Sequence, residues 1–385
     1  MKARTQRKAM KIVVAPDKFK GALSARHAAE RIAAGLRAVR TGVEIDLCPI
    51  ADGGDGTVAA MVSATSGRLL TSRVTGPLPE MKIDATYGIL GDGQTAVIEM
   101  AAAGGLALLD ADSRNPLNTT TFGTGELLVA AARQGVSRII LGVGGSATTD
   151  AGIGCAQAAG LPVLLEDGEP VSPTEPLCGR DMPKVVLIKH GRGSEVERLT
   201  ITVACDVTNP LCGPNGAAAV FGPQKGATPR QVAWLDNALL ELATRTGKLA
   251  EANTPGAGAA GGLAFGMLAY FGAELRPGAS IVLEAVKLRD RLAGADLCIT
   301  GEGQLDSQSL AGKAPVAVAQ LCKELGVPCI AVVGKASVSS DDAQAAGITE
   351  IVEISDPSIP LSESMRRTEE LLRQHAARWL AAHGV

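Results

Sequence analysis

Aromatic side chains are almost missing from this sequence: five Phe, two Trp and two Tyr among 385 residues. So few rings cannot build the stacking platforms that hold single-stranded nucleic acid. Blocks of like charge are missing too, and with a formal net charge of −3 there is no basic footprint for nucleic acid. No apolar run reaches bilayer-spanning length; the longest, Val97 to Leu109, is broken by Glu99 and by Gly104-Gly105. The basic stretch Met1 to Lys8 is not followed by the apolar segment of a signal peptide. None of the eight cysteines forms a C-x-x-C pair. Several lie in apolar strands or helices, as small buried hydrophobes do in a reducing compartment. The four histidines (27, 190, 375 and 383) fall on predicted helices or in the least motif-rich region, which argues against a His triad or a His zinc site. The expectation is a cytoplasmic globular protein with no nucleic-acid or membrane partner.

What is plentiful is apolar residues, 46% of the chain, and glycine, 46 residues. The length favours two domains. Lys11–Ala15 reads as a strand, followed by a glycine-bearing loop and a helix from Ser24 to Val39 with Ser24 as its N-cap. A strand at Glu44–Cys48 leads into Asp52-Gly53-Gly54-Asp55-Gly56 and another helix. This is the opening of a parallel α/β sheet with its loops at strand carboxyl ends. Beyond Thr75-Gly76-Pro77 the character changes to a hairpin, 82–89 with 95–99, the mark of a mixed sheet. Alternation of strand and helix returns at Leu297. The expected division is residues 10–75 plus 285–385 as one discontinuous α/β domain, 76–284 as a second domain inserted into it, and 1–9 as a disordered extension.

Each glycine loop has a bland reading and a chemical one. Asp52 and Asp55 are either a helix cap with turn glycines or a carboxylate pair for magnesium or a substrate hydroxyl. Gly144-Gly145-Ser146-Ala147-Thr148 follows a strand and opens a helix, so it is either a tight turn or a phosphate cradle. Gly301-Glu302-Gly303 with Asp306 reads as a second acidic loop after a strand, for magnesium or for capping. Lys18, Lys20, Lys225 and Lys313 sit in or beside such loops and can neutralise phosphate or carboxylate. Gly256-x-Gly258-x-x-Gly261 matches a dinucleotide fingerprint as a string, but Glu251–Pro255 before it is no strand. No P-loop signature occurs. With histidine disfavoured, an aspartate is the expected base, and magnesium on the phosphates with one carboxylate at the hydroxyl suffices for transfer to an alcohol.

The series Ala15-Pro16-Asp17-Lys18-Phe19-Lys20-Gly21, Ala51-Asp52-Gly53-Gly54-Asp55-Gly56-Thr57, Thr121-Phe122-Gly123-Thr124-Gly125-Glu126, Gly142–Asp150, Ala204–Leu211, Phe221–Gly226, Pro255–Gly262 and Ile299–Gly303 closely resembles the motifs of the bacterial glycerate kinase family, in order, from Met10 onward. Asp55 stands where that family often has glutamate, and Gln304 where a basic residue is common. The resemblance implies a flavodoxin-like α/β domain carrying an inserted mixed α/β domain, with the active site in the cleft between them. It implies an enzyme that phosphorylates D-glycerate with ATP and Mg2+, giving 2-phosphoglycerate; the 3-phosphate is the alternative product. A homodimer is allowed for. On this reading Asp206, which ends a strand beside Thr208 and Asn209, is the first candidate for the base; Asp150 is next and Lys18 is the catalytic cation. Asp52, Asp55, Glu302 and Asp306 are the metal candidates. Lys20, Ser24, Gly144, Gly145, Ser146, Thr148, Asn209, Lys225, Gly256 and Gly258 are the candidates for substrate and phosphate. The rivals are a ligand-binding regulator without chemistry and an NAD-dependent hydroxy-acid oxidoreductase.

Overall fold

A computed structural model describes residues 10–189, 194–310, 312–356 and 358–383; the expected extension 1–9 and His190 lie outside the described residues. In chain order the strands are β1 Lys11–Pro16, β2 Glu44–Leu47, β3 Arg68–Thr75, β4 Lys82–Ile89, β5 Thr95–Glu99, β6 Arg138–Gly142, β7 Val163–Leu165, β8 Val185–Ile188, β9 Thr200–Ala204, β10 Glu274–Arg276, β11 Leu297–Leu305, β12 Cys329–Ala336 and β13 Glu350–Glu353. The chain falls into two compact units. Among the described residues no helix is long and apolar enough to cross a membrane.

The first unit runs to Asp52, takes in Ser63–Thr65 and resumes at Val282. Its sheet has the order β13-β12-β11-β1-β2 with every pair parallel, the flavodoxin-like arrangement. The central strands are apolar on both faces because helices cover both. On one face Ile12, Val14, Ile299, Ile330 and Val332 pack with Ile32 and Leu36 of helix Ala25–Val39 and Leu372 and Leu380 of helix Thr368–His383. Those two helices cross closely at Gly35, where a Cβ would stand 2.2 Å from the Arg373 carbonyl oxygen. Helix Ala314–Leu325 covers the other face. Ser24 caps the first helix, its hydroxyl accepting from the His27 amide at 3.3 Å.

The second unit comprises Gly53–Val62 and Ser66–Ile281. Its sheet has the order β10-β9-β6-β5-β4-β3, parallel from β10 to β5 and antiparallel from β5 to β3. A β7–β8 ribbon lies apart from it. Ile98, Leu127, Leu128, Leu141, Val203 and Phe265 belong to its core, with Phe265 edge-on to Tyr270 at 5.7 Å between ring centroids. The sequence places the break after residue 75; the structure places it at 52–53. The reason is β3, which pairs with β4 along its whole length, from Arg68 opposite Ile89 to Thr75 opposite Lys82. The helix before it, Thr57–Thr65, sits over β4, with Val58 and Val62 against the bare Cα of Gly88.

Candidate active site

In the first unit, two carboxylates stand at the carboxyl ends of neighbouring central strands. Asp17 follows β1 directly, and its amide donates to the Gly301 carbonyl at 2.8 Å. The next residue of β11 is Glu302. Asp17 is 6% exposed and Glu302 8%. Between β1 and β11 the chain's winding reverses direction, and such a switch point is where open α/β sheets bind ligands. Burial pushes the Asp17 carboxyl up to about 7, with Asp52 adding repulsion; the Lys18 amide, donating at 2.6 Å, and the Lys18 and Lys313 charges oppose it. Burial likewise pushes Glu302 up to about 7, the Ser309 hydroxyl and Lys313 opposing and Asp17 and Asp306 adding to the rise. Two acids with raised affinity for protons, side by side at a switch point, are the signature of a functional site.

Glu302 Oε1 is buried without a hydrogen-bond partner among the described residues. An orphaned anionic oxygen beside Asp17 suits a hard divalent cation, which would supply the missing partner and cancel the repulsion. Asp17 and Glu302, with Asp52 repelling Asp17, are the carboxylates that would hold Mg2+; among the described residues their oxygens do not yet converge on one point. Asp306 is otherwise engaged: its Oδ1 accepts from the Gln308 and Ser309 amides at 2.9 and 3.1 Å, capping helix Ser307–Leu310. The sequence reads residues 301–303 as a loop; they lie within β11, in register with Val332 and Val333. Lys18 is half-buried and Lys20 exposed. Asp17 is a residue that motif reading passes over, although the strand-end reasoning that selects Asp206 applies equally to it.

In the second unit, the loop after β6 is held from beneath by buried charge. Lys225 is 1% exposed; its ammonium donates to Ser146 Oγ at 2.9 Å and to the Thr148 carbonyl at 2.6 Å. Burial drives its pKa down to about 7, with the Asp150 charge pulling the other way. Asp150 is fully buried. Its Oδ2 accepts from the Thr121 amide and hydroxyl, both at 2.8 Å, and its Oδ1 from the Gly152 amide at 3.1 Å. Burial raises the Asp150 pKa against those bonds. With its oxygens so occupied, Asp150 locks the 144–152 loop to the start of helix Phe122–Ala132 instead of facing a substrate. The Thr148 and Thr149 hydroxyls are buried without partners among the described residues.

Asp206 lies just beyond β9 and is exposed; its Oδ1 accepts from the Gly278 amide at 2.8 Å, at the head of helix Gly278–Ala285. Gly53 packs beside it, where a Cβ would stand 3.0 Å from the Ala204 Cβ and 3.8 Å from Asp206 Oδ2. The Gly144 Cα faces Gly54 at the same sheet edge. Asp55 is exposed in this unit. Asn209 braces its own loop, its Nδ2 donating to the Asn215 carbonyl at 2.8 Å. Gly256 and Gly258 allow backbone to press on backbone: a Cβ on Gly258 would stand 2.3 Å from the Pro210 carbonyl oxygen, and one on Gly256 3.1 Å from Cys205 Sγ. Before them comes the short helix Leu249–Ala252, so the strand of a dinucleotide fold is not there.

A switch-point acid pair and a lysine-anchored glycine loop are the kinds of group that suit phosphoryl transfer. The model of the glycerate kinase family matches residues 12–383. This chain belongs to the glycerate kinase family. A protein named glycerate kinase in Bacillus subtilis (strain 168) is 45% identical over 97% of both chains. One named glycerate 2-kinase in Escherichia coli (strain K12) is 45% identical over 84% of this chain and 85% of its own length. A crystal structure from Salmonella typhimurium LT2, provisionally named glycerate kinase 2, superposes with a TM-score of 0.86 at 41% identity, covering 97% of this chain and 98% of that one. The family member described here is thus an ATP-dependent kinase. Its fold is the flavodoxin-like sheet with a second, inserted mixed sheet.

Proposed function

We propose that this kinase transfers the γ-phosphoryl group of ATP to the C2 hydroxyl of D-glycerate, giving 2-phosphoglycerate, and that it requires Mg2+. The observation that carries the metal requirement is the buried Asp17–Glu302 pair, whose repulsion a divalent cation relieves. Support for the C2 position comes from the glycerate 2-kinase of Escherichia coli, 45% identical to this chain.

Asp17, Glu302 and Asp52 are the residues to hold the ion, with Lys18 and Lys313 adding positive charge. Held there, Mg2+ would supply positive charge against the charge that develops on the phosphate. In the second unit the Gly144–Thr148 loop, with the Lys225 ammonium at its base, takes an anionic group. Asp206 is exposed and held by the Gly278 amide, so it can accept a proton from a substrate hydroxyl. As the hydroxyl oxygen bonds to the γ-phosphorus, the bond from that phosphorus to the bridging oxygen of ADP breaks, and the hydroxyl proton passes to Asp206. The eight cysteines, free wherever the structure places them, accord with a reducing cytoplasm.

ATP turnover with D-glycerate, followed by phosphorus NMR, is the test. One monophosphate at C2, formed only with Mg2+, is expected; a C3 product or metal-independent turnover overturns the corresponding half of the reading. Asp206→Asn should lower kcat by about 10²- to 10⁴-fold with little change in KM; near-normal turnover removes Asp206 as the base.

A further inference from the structure

At the opposite end of the first sheet from Asp17 and Glu302, three thiols converge. Cys298 and Cys329 are register partners on adjacent parallel strands, and Cys322 comes down onto them from the last turn of helix Ala314–Leu325. All three are fully buried. Their sulfurs lie within 4.8 Å of one another. Singly, each is a small hydrophobe filling the core. Convergence of three soft donors on one point is a different matter, because it makes a chelator. An ion bonded to sulfur at about 2.3 Å sits in a sulfur triangle about 4 Å on a side, which these side chains reach by closing slightly.

The donor set also selects the ion. Three sulfurs and no fourth ligand among the described residues leave a tetrahedral zinc incomplete. The leading influences on the three thiols are one another and burial, with no charged side chain among them. A monovalent or divalent ion on three thiolates would leave net negative charge buried, at a heavy desolvation cost. A trivalent thiophile leaves none. We infer that Cys298, Cys322 and Cys329 form a binding site for trivalent arsenic, bound as a neutral three-sulfur complex. The exchange balances without redox chemistry: arsenous acid and three thiols give three As–S bonds and three waters. Each sulfur yields its proton to a departing hydroxyl group. Access is from the helix end, where Lys323 to Gly326 are exposed and join Cys322 to Cys329 through a left-handed Gly326 with φ of 69°.

Arsenite is the probe, added to the full-length reduced protein. Native mass spectrometry should show a gain of one arsenic less three hydrogens per chain. That gain should vanish in Cys322→Ala and persist in Cys48→Ala. Arsenic X-ray absorption on the unaltered protein should show three sulfur neighbours and no oxygen, a readout independent of whether the variants fold. No adduct on the unaltered protein, an arsenic retaining oxygen ligands, or an unchanged adduct in folded Cys322→Ala overturns the inference.

Discussion

Asp17 and Lys225 are buried ionisable groups of opposite sign, and burial moves both toward neutrality near pH 7. The unfolded Asp17 carboxyl titrates near 3.8 and the folded one near 7. Between those values the native chain holds a proton that the unfolded chain has lost, so this group's contribution to stability falls as pH rises through the window. Asp17→Asn cannot ionise. It should be more stable than the parent by about 1–3 kcal/mol at pH 8 without Mg2+ and no different at pH 4, in urea melts, while losing metal-dependent turnover. For Lys225 the sign reverses. Its amine is neutral in the folded protein above about 7, so an anion that needs its charge binds best below that. kcat/KM should therefore fall as pH rises through about 7, an alkaline limb set by Lys225. Lys225→Met should raise the KM for glycerate about 10- to 100-fold, the loss of one charge-assisted hydrogen bond, and erase the alkaline limb. An unshifted profile in that variant would remove Lys225 from the anion site. Of these residues the sequence yields Lys225 and Glu302 as loop charges. It does not yield Asp17 or the occupied state of Asp150, because a sequence shows that a carboxylate follows a strand but not how many donors meet it.

At the scale of the element, β11 shows where periodicity reading runs out. Leu297–Thr300 is apolar and legible as a strand, whereas Gly301 and Gly303 read as loop. They are strand residues because neighbouring backbone comes very close. A Cβ on Gly301 would stand 2.0 Å from the Val332 carbonyl oxygen, and one on Gly334 2.3 Å from the Gly303 oxygen. Gly301→Ala should cost about 2–3 kcal/mol or more through overpacking and displace Glu302 next to it, so melts and metal affinity should fall together. A substitution tolerated in both would mean that the strand can shift there. The short strand β10 fails for the opposite reason. Its three residues carry little pattern, and a partner far along the chain, β9, makes them a strand. The helix with a strong apolar stripe and a hydroxyl cap, Ala25–Val39, reads correctly from sequence because its signals are local.

For the whole molecule, the two-unit layout was legible as a change from alternating α/β to hairpin and back, but its boundary was not. Pro77 and Gly76 look like a linker, yet β3 before them already belongs to the second sheet. The second unit is nearly continuous, so residues 53–281 expressed alone should melt cooperatively by circular dichroism. Non-cooperative melting would mean that its core depends on the rest of the chain.

The first unit has no such independence, and that has a consequence in time. β1 pairs with β2 on one side and on the other with β11, Ile12 opposite Leu297. A ribosome adding about 5–20 residues per second leaves β1 without its central neighbour for roughly 15 to 60 s. Throughout that interval the strand that leads into Asp17 is an apolar edge awaiting a partner, while the inserted unit emerges from the ribosome complete. Synthesis of this kinase therefore carries an obligatory waiting period, and the chain is most exposed to mispairing at its beginning.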